Sequence, residues 1–275
     1  MCDDAASPGA IPKRARRLEG TLTDPGQDLV VPEHAPKEYT SNLIAQAICE
    51  IRFPTLLELE TEQPVAFQKA LRKEYPLYDK TVTVVPIIGS SEAEKATGHT
   101  FSSLDRRWRV GLRSGSISLD TNQYMNYGEF SERLSWIVKQ IYPLLDTPRY
   151  TRVGLRYINA LPVGHGQLEG WINASLDAPL LQGVFGRPTL CWQQIRGTCG
   201  NGSAFMFQHG LDPSAAVDQT KYFFDSDIFA VDVESDQLRS VLSHSNDQSY
   251  RLFEWAIGDK AREHMMSKSP RMRKP

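Results

Sequence analysis

The order in which strand-like and helix-like segments follow one another most limits how this chain can fold. Apolar and polar residues alternate over residues 151–161, which predicts a strand with one buried face. Apolar residues recur at helical spacing over residues 130–145, which predicts an amphipathic helix. Along the whole chain these two patterns give strand, helix, three strands and helix, and then the same order again.

The repeated order predicts a duplicated α+β unit. Each copy would lay two helices against one face of an antiparallel sheet, because each predicted strand has one apolar side. Side by side, the copies would form one continuous curved sheet, analogous in topology to the saddle of TATA-box-binding proteins. The first half is predicted at residues 41–148 and the second at residues 149–267.

Both ends of the chain differ in composition from these halves. Residues 1–40 contain five prolines and few large apolar residues, so we expect a disordered, proline-rich lead. Its basic run Lys13–Arg17 could tether nucleic acid or could be a solvated tail. Residues 268–275 are also basic and are predicted to be a frayed tail.

Composition and charge disfavour several classes of protein. Lysine and arginine total 31 and aspartate and glutamate 33, a net charge of −2, so the overall basic charge of many DNA-coating proteins is missing. No apolar run reaches the roughly 18 residues of a membrane span. The polar amino terminus lacks a secretory signal, and the four cysteines are too scattered for a disulfide framework. We therefore expect a cytoplasmic protein without membrane association.

Motifs that would indicate catalysis are missing from the sequence. It contains no phosphate-binding glycine loop and no nucleophilic serine motif. It also lacks pairs of histidines or cysteines at metal-ligand spacing. Cys191 or Cys199 could act with His209 only if the fold brought them together, and a buried thiol resists ionisation. We therefore expect no catalytic residue, no bound metal and no cofactor, which favours a protein that is not an enzyme.

Two aspartates keep a metal-dependent hydrolase or nuclease open as an alternative. Asp225 and Asp227 are two positions apart in a predicted strand, so both carboxylates share one face. They could bind a cation or act as an acid–base pair. The other interpretation is a polar strand edge, where acidic residues discourage pairing with further strands. The second interpretation is favoured because no complete set of oxygen ligands is visible.

Arginines form the most informative polar pattern. They alternate with apolar residues in two predicted strands, so five guanidinium groups would share the helix-free face of one sheet. Guanidinium groups bind phosphate or carboxylate in a bidentate manner, and Gly111 and Gly154 between them would allow close approach of a ligand or another chain. Ion pairs with Glu50, Asp120 and other acidic residues are the alternative. The candidate partner- or ligand-binding residues are Arg107, Arg109, Arg113, Arg152 and Arg156.

The block Arg152–Asn159, which reads Arg-Val-Gly-Leu-Arg-Tyr-Ile-Asn, resembles the most distinctive segment of a known family. Residues 47–53 and the apolar pattern between Trp108 and Phe130 are similar to its opening strand and its central part. The family consists of uncharacterised, sporadically distributed bacterial proteins of about this length, and the resemblance covers residues 43–260. Its patchy distribution implies an accessory role such as phage defence or toxin neutralisation.

These observations favour a non-catalytic binding or regulatory protein of a bacterial accessory system. Its arginine-rich sheet face would engage a protein partner or an anionic ligand. One alternative is a nucleic-acid-binding saddle that uses the same arginines and the basic ends of the chain. The second alternative is the metal-dependent hydrolase or nuclease.

Overall fold

The protein consists of one antiparallel sheet with helices packed on one side, so the predicted α+β class is confirmed. The computed structural model describes residues 28–32, 37, 39–86, 93–145, 147–164, 166–181, 184–186, 188, 190–211 and 221–267. The strands in these ranges are β1 (Ile44–Arg52), β2 (Leu77–Pro86), β3 (Ala93–Ser102), β4 (Trp108–Arg113), β5 (Ser116–Thr121), β6 (Arg149–Ala160), β7 (Cys191–Thr198), β8 (Ser203–Leu211) and β9 (Tyr222–Glu234). The helices are α1 (Glu58–Thr61), α2 (Val65–Leu71), α3 (Tyr127–Leu145), α4 (Ala174–Leu181), α5 (Leu238–Ala256) and α6 (Asp259–Ser267).

The order of strands across the sheet is β2-β3-β4-β5-β1-β6-β9-β8-β7. The first strands of the two predicted halves, β1 and β6, pair antiparallel at its centre. From this central pair, the first half extends outward through β5, β4, β3 and β2, and the second through β9, β8 and β7. Only β5 and β1 therefore separate the two arginine-bearing strands β4 and β6.

Alternation along the strands buries one side of the sheet beneath the helices. On β4, Trp108, Val110 and Leu112 are buried, whereas Arg109 and Arg113 are exposed on the opposite side. Helix α3 covers the apolar side with five buried side chains spaced three or four residues apart. The buried apolar residues form two clusters, one centred on each half of the sheet. No helix of the described residues lies on the other side of the sheet.

The first half contains one strand more than predicted. The sequence predicts a single strand over residues 101–113, but this segment holds the end of β3, a turn and β4. The Asp105 carboxylate accepts hydrogen bonds from Ser103 Oγ at 2.6 Å and Arg107 N at 3.1 Å, and Arg106 adopts a φ of 55°. Neither glycine nor proline marks this turn, so the usual sequence signal is missing.

The closing helix predicted over residues 248–266 is divided into α5 and α6 at Ile257 and Gly258. Gly258 N donates a hydrogen bond to Trp171 O at 2.8 Å. The backbone of Gly258 also approaches Gly170 so closely that a Cβ at position 258 would collide with the Gly170 carbonyl. The break therefore depends on a contact with a segment far away in sequence.

Part of the predicted lead contacts the sheet. Asp28 forms a parallel β-bridge with Thr198 at the end of β7, and Leu29 N donates a hydrogen bond to Thr198 O at 2.6 Å. Leu29 also packs against the apolar cluster of the second half. The basic run Lys13–Arg17 and the tail 268–275 lie outside the described residues, so their proposed roles stay predictions.

Candidate functional site

The helix-free face contains an open cavity of about 450 Å³ that extends across β3, β4, β5, β1 and β6. Five arginines line it, together with three carboxylates. We call this cavity the arginine basin, and its charged residues are Arg52, Arg109, Arg113, Arg152, Arg156, Glu50, Asp120 and Asp227. Four of the five arginines proposed from the sequence therefore lie together, because strand alternation turns them to the same face.

The arginines that line the basin differ at two positions from those proposed from the sequence. Arg107 lies in the turn before β4 and outside the basin, with its Nε 3.8 Å from Asp105 Oδ2. Arg52 lies in the basin but was not among the proposed site residues. Its alternation with Glu50 is visible in the sequence. Only the strand order, which inserts β1 between β5 and β6, brings it next to the other arginines.

Glu50 separates like charges at the centre of the basin. The register places Arg52 on β1 directly opposite Arg152 on β6, and two like charges in such positions destabilise a sheet. Glu50 Oε2 lies 2.8 Å from Arg52 Nε and 3.5 Å from Arg152 Nη1. One carboxylate thus compensates two guanidinium groups. The Arg52 side chain remains 54% exposed.

Arg152 is held from several directions. Its Nη2 lies 2.7 Å from Asp227 Oδ2, and its guanidinium carbon lies 4.4 Å from the centre of the Phe229 ring. Burial raises the pKa of Asp227, and the positive charge of Arg152 opposes that rise. The Arg152 side chain is only 17% exposed. Its donors are therefore largely committed to the protein itself.

Gly111 and Gly154 in the basin accommodate side chains of the protein itself. A Cβ at position 154 would collide with the guanidinium group of Arg152, which lies across Gly154. A Cβ at position 111 would lie 2.6 Å from Ser118 Oγ. The space above Gly111 and Gly154, expected from the sequence to admit a ligand or another chain, is thus already occupied.

Arg156 forms a bidentate ion pair with a buried carboxylate. Its Nε lies 2.8 Å from Asp225 Oδ1, and its Nη2 lies 2.6 Å from Asp225 Oδ2. The Asp225 side chain is 4% exposed. The hydrogen bonds that Arg156 donates to Asp225 raise the pKa of Arg156, and burial opposes this rise. This geometry gives Arg156 a structural role.

We expect Arg156→Ala to lower the free energy of unfolding by about 2 kcal/mol, because Asp225 would lose two charged hydrogen bonds while it stays buried. Arg109→Ala is the matched control. Arg109 Nη2 lies 2.7 Å from Asp120 Oδ1 on the same face, but the Arg109 side chain is 51% exposed. Such exposed pairs contribute about 1 kcal/mol or less. Urea denaturation measures both losses, and equal losses would contradict the structural role of Arg156.

Arg113 differs from the other basin arginines in its partners. It is the last residue of β4 and points to the exposed side of the strand. Its side chain passes over Gly98: Cγ and Nε of Arg113 each lie 3.7 Å from where a Cβ would stand if residue 98 had a side chain. No ion pair joins its guanidinium group to a side chain in the described part of the chain. Arg113 therefore carries the least compensated positive charge of the basin.

The two aspartates considered for metal chemistry are both engaged by arginines. Arg156 binds Asp225 and Arg152 binds Asp227, so each carboxylate already has a cationic partner. Among the described residues, no group of three or more histidine, cysteine, aspartate or glutamate side chains is placed to hold a metal ion. The arrangement of these aspartates is that of a cross-strand ion-pair network.

The candidate nucleophiles are also in unfavourable surroundings. Burial raises the pKa of the Cys191 thiol and raises that of Cys199 to about 11. Both thiols are therefore protonated near neutral pH, and the protonated form is a poor nucleophile. His209 is buried, and its Nδ1 lies 2.7 Å from the hydroxyl of Tyr222. This imidazole is accordingly a core group hydrogen-bonded to a tyrosine.

No protein-family model matches the chain, and no curated protein is significantly similar to it in sequence. None of the helices in the described ranges is long and apolar enough to cross a lipid bilayer. The geometry and charge of the arginine basin are thus the main basis for proposing a function.

Proposed function

We propose that this protein is a non-catalytic binding protein whose arginine basin holds an anionic group of a protein partner. The observation that carries the proposal is the unpaired charge of Arg113, which lacks an ionic partner among the described residues. The other four arginines of the basin pair with Glu50, Asp120, Asp225 and Asp227. A guanidinium group without an internal partner can donate two parallel hydrogen bonds to a carboxylate or phosphate.

The proposed anion position lies between Arg113 and Arg52. The register aligns Arg113 with Ser116 on β5, and Ser116 with Arg52 on β1. The backbones of Arg113 and Arg52 are two strand spacings apart, or about 10 Å. Their long side chains can reach towards each other across this distance. An anion above Ser116 could therefore accept hydrogen bonds from both guanidinium groups and from the serine hydroxyl.

We also propose that the chain arose by duplication of one α+β unit, and that the partner binds on the curved face of the sheet that the two units form together. The order β3-β4-β5-β1 on one side of the centre corresponds to β7-β8-β9-β6 on the other, which supports two equivalent units. The first unit adds β2 at the edge, and the second adds α6. An accessory role in bacteria rests on the family resemblance described above and on the patchy distribution of that family.

A nucleic-acid-binding saddle is the competing function. The same arginines could contact phosphates, but Glu50, Asp120 and Asp227 line the same basin and would repel a continuous phosphate backbone. A single anionic group can avoid these carboxylates more easily than a polyanion can. This distribution of charge favours the protein partner.

The two functions can be separated with a labelled peptide that carries a single glutamate among neutral residues and with a labelled single-stranded oligonucleotide. Fluorescence anisotropy over a salt series measures both affinities. If the basin holds an anionic group of a protein partner, we expect the peptide to bind the protein at least as tightly as the oligonucleotide does. Tighter oligonucleotide binding that falls steeply with salt, as counterion release requires, would favour the nucleic-acid saddle instead.

We expect Arg113→Ala to weaken peptide binding about tenfold, the effect of losing a charge-assisted hydrogen bond. The stability should stay close to that of the wild type, because this guanidinium group has no ionic partner in the described ranges. Arg72→Ala, at an exposed arginine after α2, is the control that removes the same charge elsewhere. Equal affinities for the Arg113→Ala variant and the wild type would refute the proposed anion position.

A further inference from the structure

A second cavity lies on the helix side of the sheet, away from the arginine basin. It has a volume of about 370 Å³ and lies among residues 37 and 39–44, the segment after β5, the end of β6, and helices α5 and α6. Its walls come from both apolar clusters, since Tyr157 belongs to the first cluster and Leu43 to the second. We call it the tyrosine cavity, after its lining residues Tyr39, Tyr124, Tyr157 and Tyr250.

Hydrogen bonds at their hydroxyl groups hold these tyrosines in place. Tyr157 donates to Asn246 Oδ1 at 2.9 Å, and its hydroxyl lies 3.4 Å from that of Tyr124. The rings of Tyr124 and Tyr157 meet edge to face with their centres 5.4 Å apart. Tyr39 donates to the buried carboxylate of Glu254 at 2.5 Å. The cavity therefore has aromatic walls that are ordered before any ligand arrives, which reduces the entropy cost of binding.

A buried hydroxyl without a partner also lines the cavity. Ser249 on α5 is 2% exposed, and its buried Oγ forms no hydrogen bond with any of the described residues. An unsatisfied buried hydroxyl is unfavourable, so a ligand that enters deeply enough to supply a donor or acceptor gains binding energy there. The polar side chain of Asn159, which is 4% exposed, lines the same cavity. Hydrogen-bonding groups thus lie beside aromatic walls.

The charge of the lining limits the kind of ligand. Among the described residues, Lys37 is its one ionisable lining residue other than tyrosine, and none of them adds a carboxylate to the lining. These residues therefore offer no counter-charge to a cationic ligand. The volume lies near the lower end of the range of about 300–1,000 Å³ that is typical of small-molecule sites. Aromatic rings favour planar partners that can stack or meet them edge to face.

We propose that the tyrosine cavity binds a small, neutral, planar heteroaromatic molecule of one or two rings, with a hydrogen-bonding edge directed at Ser249. This site is independent of the arginine basin, which lies on the opposite face of the sheet. A molecule bound there would touch both apolar clusters and both carboxyl-terminal helices.

The full-length chain can be tested with adenine and indole as probes, using saturation-transfer NMR and a titration. Cyclohexanol is the comparison compound, because it has a hydroxyl group and similar bulk but no planar ring. We expect at least one planar probe to bind more tightly than cyclohexanol. Failure of both probes to bind, or equal binding of cyclohexanol, would overturn the proposal.

Two variants locate the binding. Ser249→Leu fills the cavity and removes the hydroxyl, and we expect the affinity for the planar probe to fall about tenfold or more. Met125→Ala shortens a lining side chain that is 43% exposed, so it should weaken binding while the fold remains intact even if Ser249→Leu fails to fold. Ser243→Leu, at an exposed position on α5 outside the cavity, is the matched control.

The pattern across the variants decides the outcome. Weaker probe binding by Met125→Ala, and by Ser249→Leu where it folds, with no change for Ser243→Leu, supports the proposed site. Unchanged binding by Met125→Ala overturns it, as does unchanged binding by a folded Ser249→Leu protein. Arg113→Ala should leave probe binding unaltered, so a failure of the basin proposal and a failure of this one can be told apart.

Discussion

Replacing Trp108 with alanine is expected to lower the free energy of unfolding by about 3–5 kcal/mol, the usual cost of removing a large buried aromatic side chain. Trp108 is 3% exposed. Its ring centre lies 5.9 Å from that of Phe130 on α3, and the guanidinium carbon of Arg133 lies 4.6 Å from the centre of the Trp108 ring. The substitution would therefore leave a cavity between β4 and α3 and remove a cation–π contact.

Equilibrium unfolding in urea measures this loss. Leu104→Ala is the control, because Leu104 lies in the turn just before β4 but is 77% exposed. We expect that control to change stability by about 0.5 kcal/mol or less. A Trp108→Ala protein as stable as the control would show that the contact between β4 and α3 does not support the fold.

Acidification from about pH 7 to about pH 4.5 is expected to cost about 2 kcal/mol of stability through His209 alone. Burial lowers the pKa of His209 from 6.5 to about 4. Between these two values the unfolded chain binds a proton that the folded protein does not. The stabilisation is therefore complete above the unfolded pKa and is lost as the pH falls towards the folded one.

His209→Phe tests this assignment, because phenylalanine is similar in size to histidine and cannot be protonated. The imidazole packs beside Phe207, with ring centres 5.4 Å apart, in surroundings that suit an aromatic ring. The stability of each protein is measured at both pH values, and the two pH-dependent losses are compared. We expect the variant to lose about 2 kcal/mol less than the wild type on acidification. Equal losses in the two proteins would show that other groups cause the acid sensitivity.

The sequence alone determined which side of each strand faces the helices. Side chains alternate along a strand with a period of two, a local property of the extended backbone. For that reason the buried position of Trp108 and the shared outward face of Arg109 and Arg113 follow from residues within one short segment. The helical spacing of apolar residues identified α3 in the same way. The α+β class follows from these local patterns taken together.

The tertiary structure decided which strands became neighbours and what the polar side chains contact. The strand order brought Arg52 into the arginine basin, and the register between β6 and β9 brought Arg156 within reach of the buried Asp225. These contacts join residues that are far apart along the chain, so no local pattern contains them. A period-two pattern determines the face of a strand, but only strand pairing determines which charges meet there.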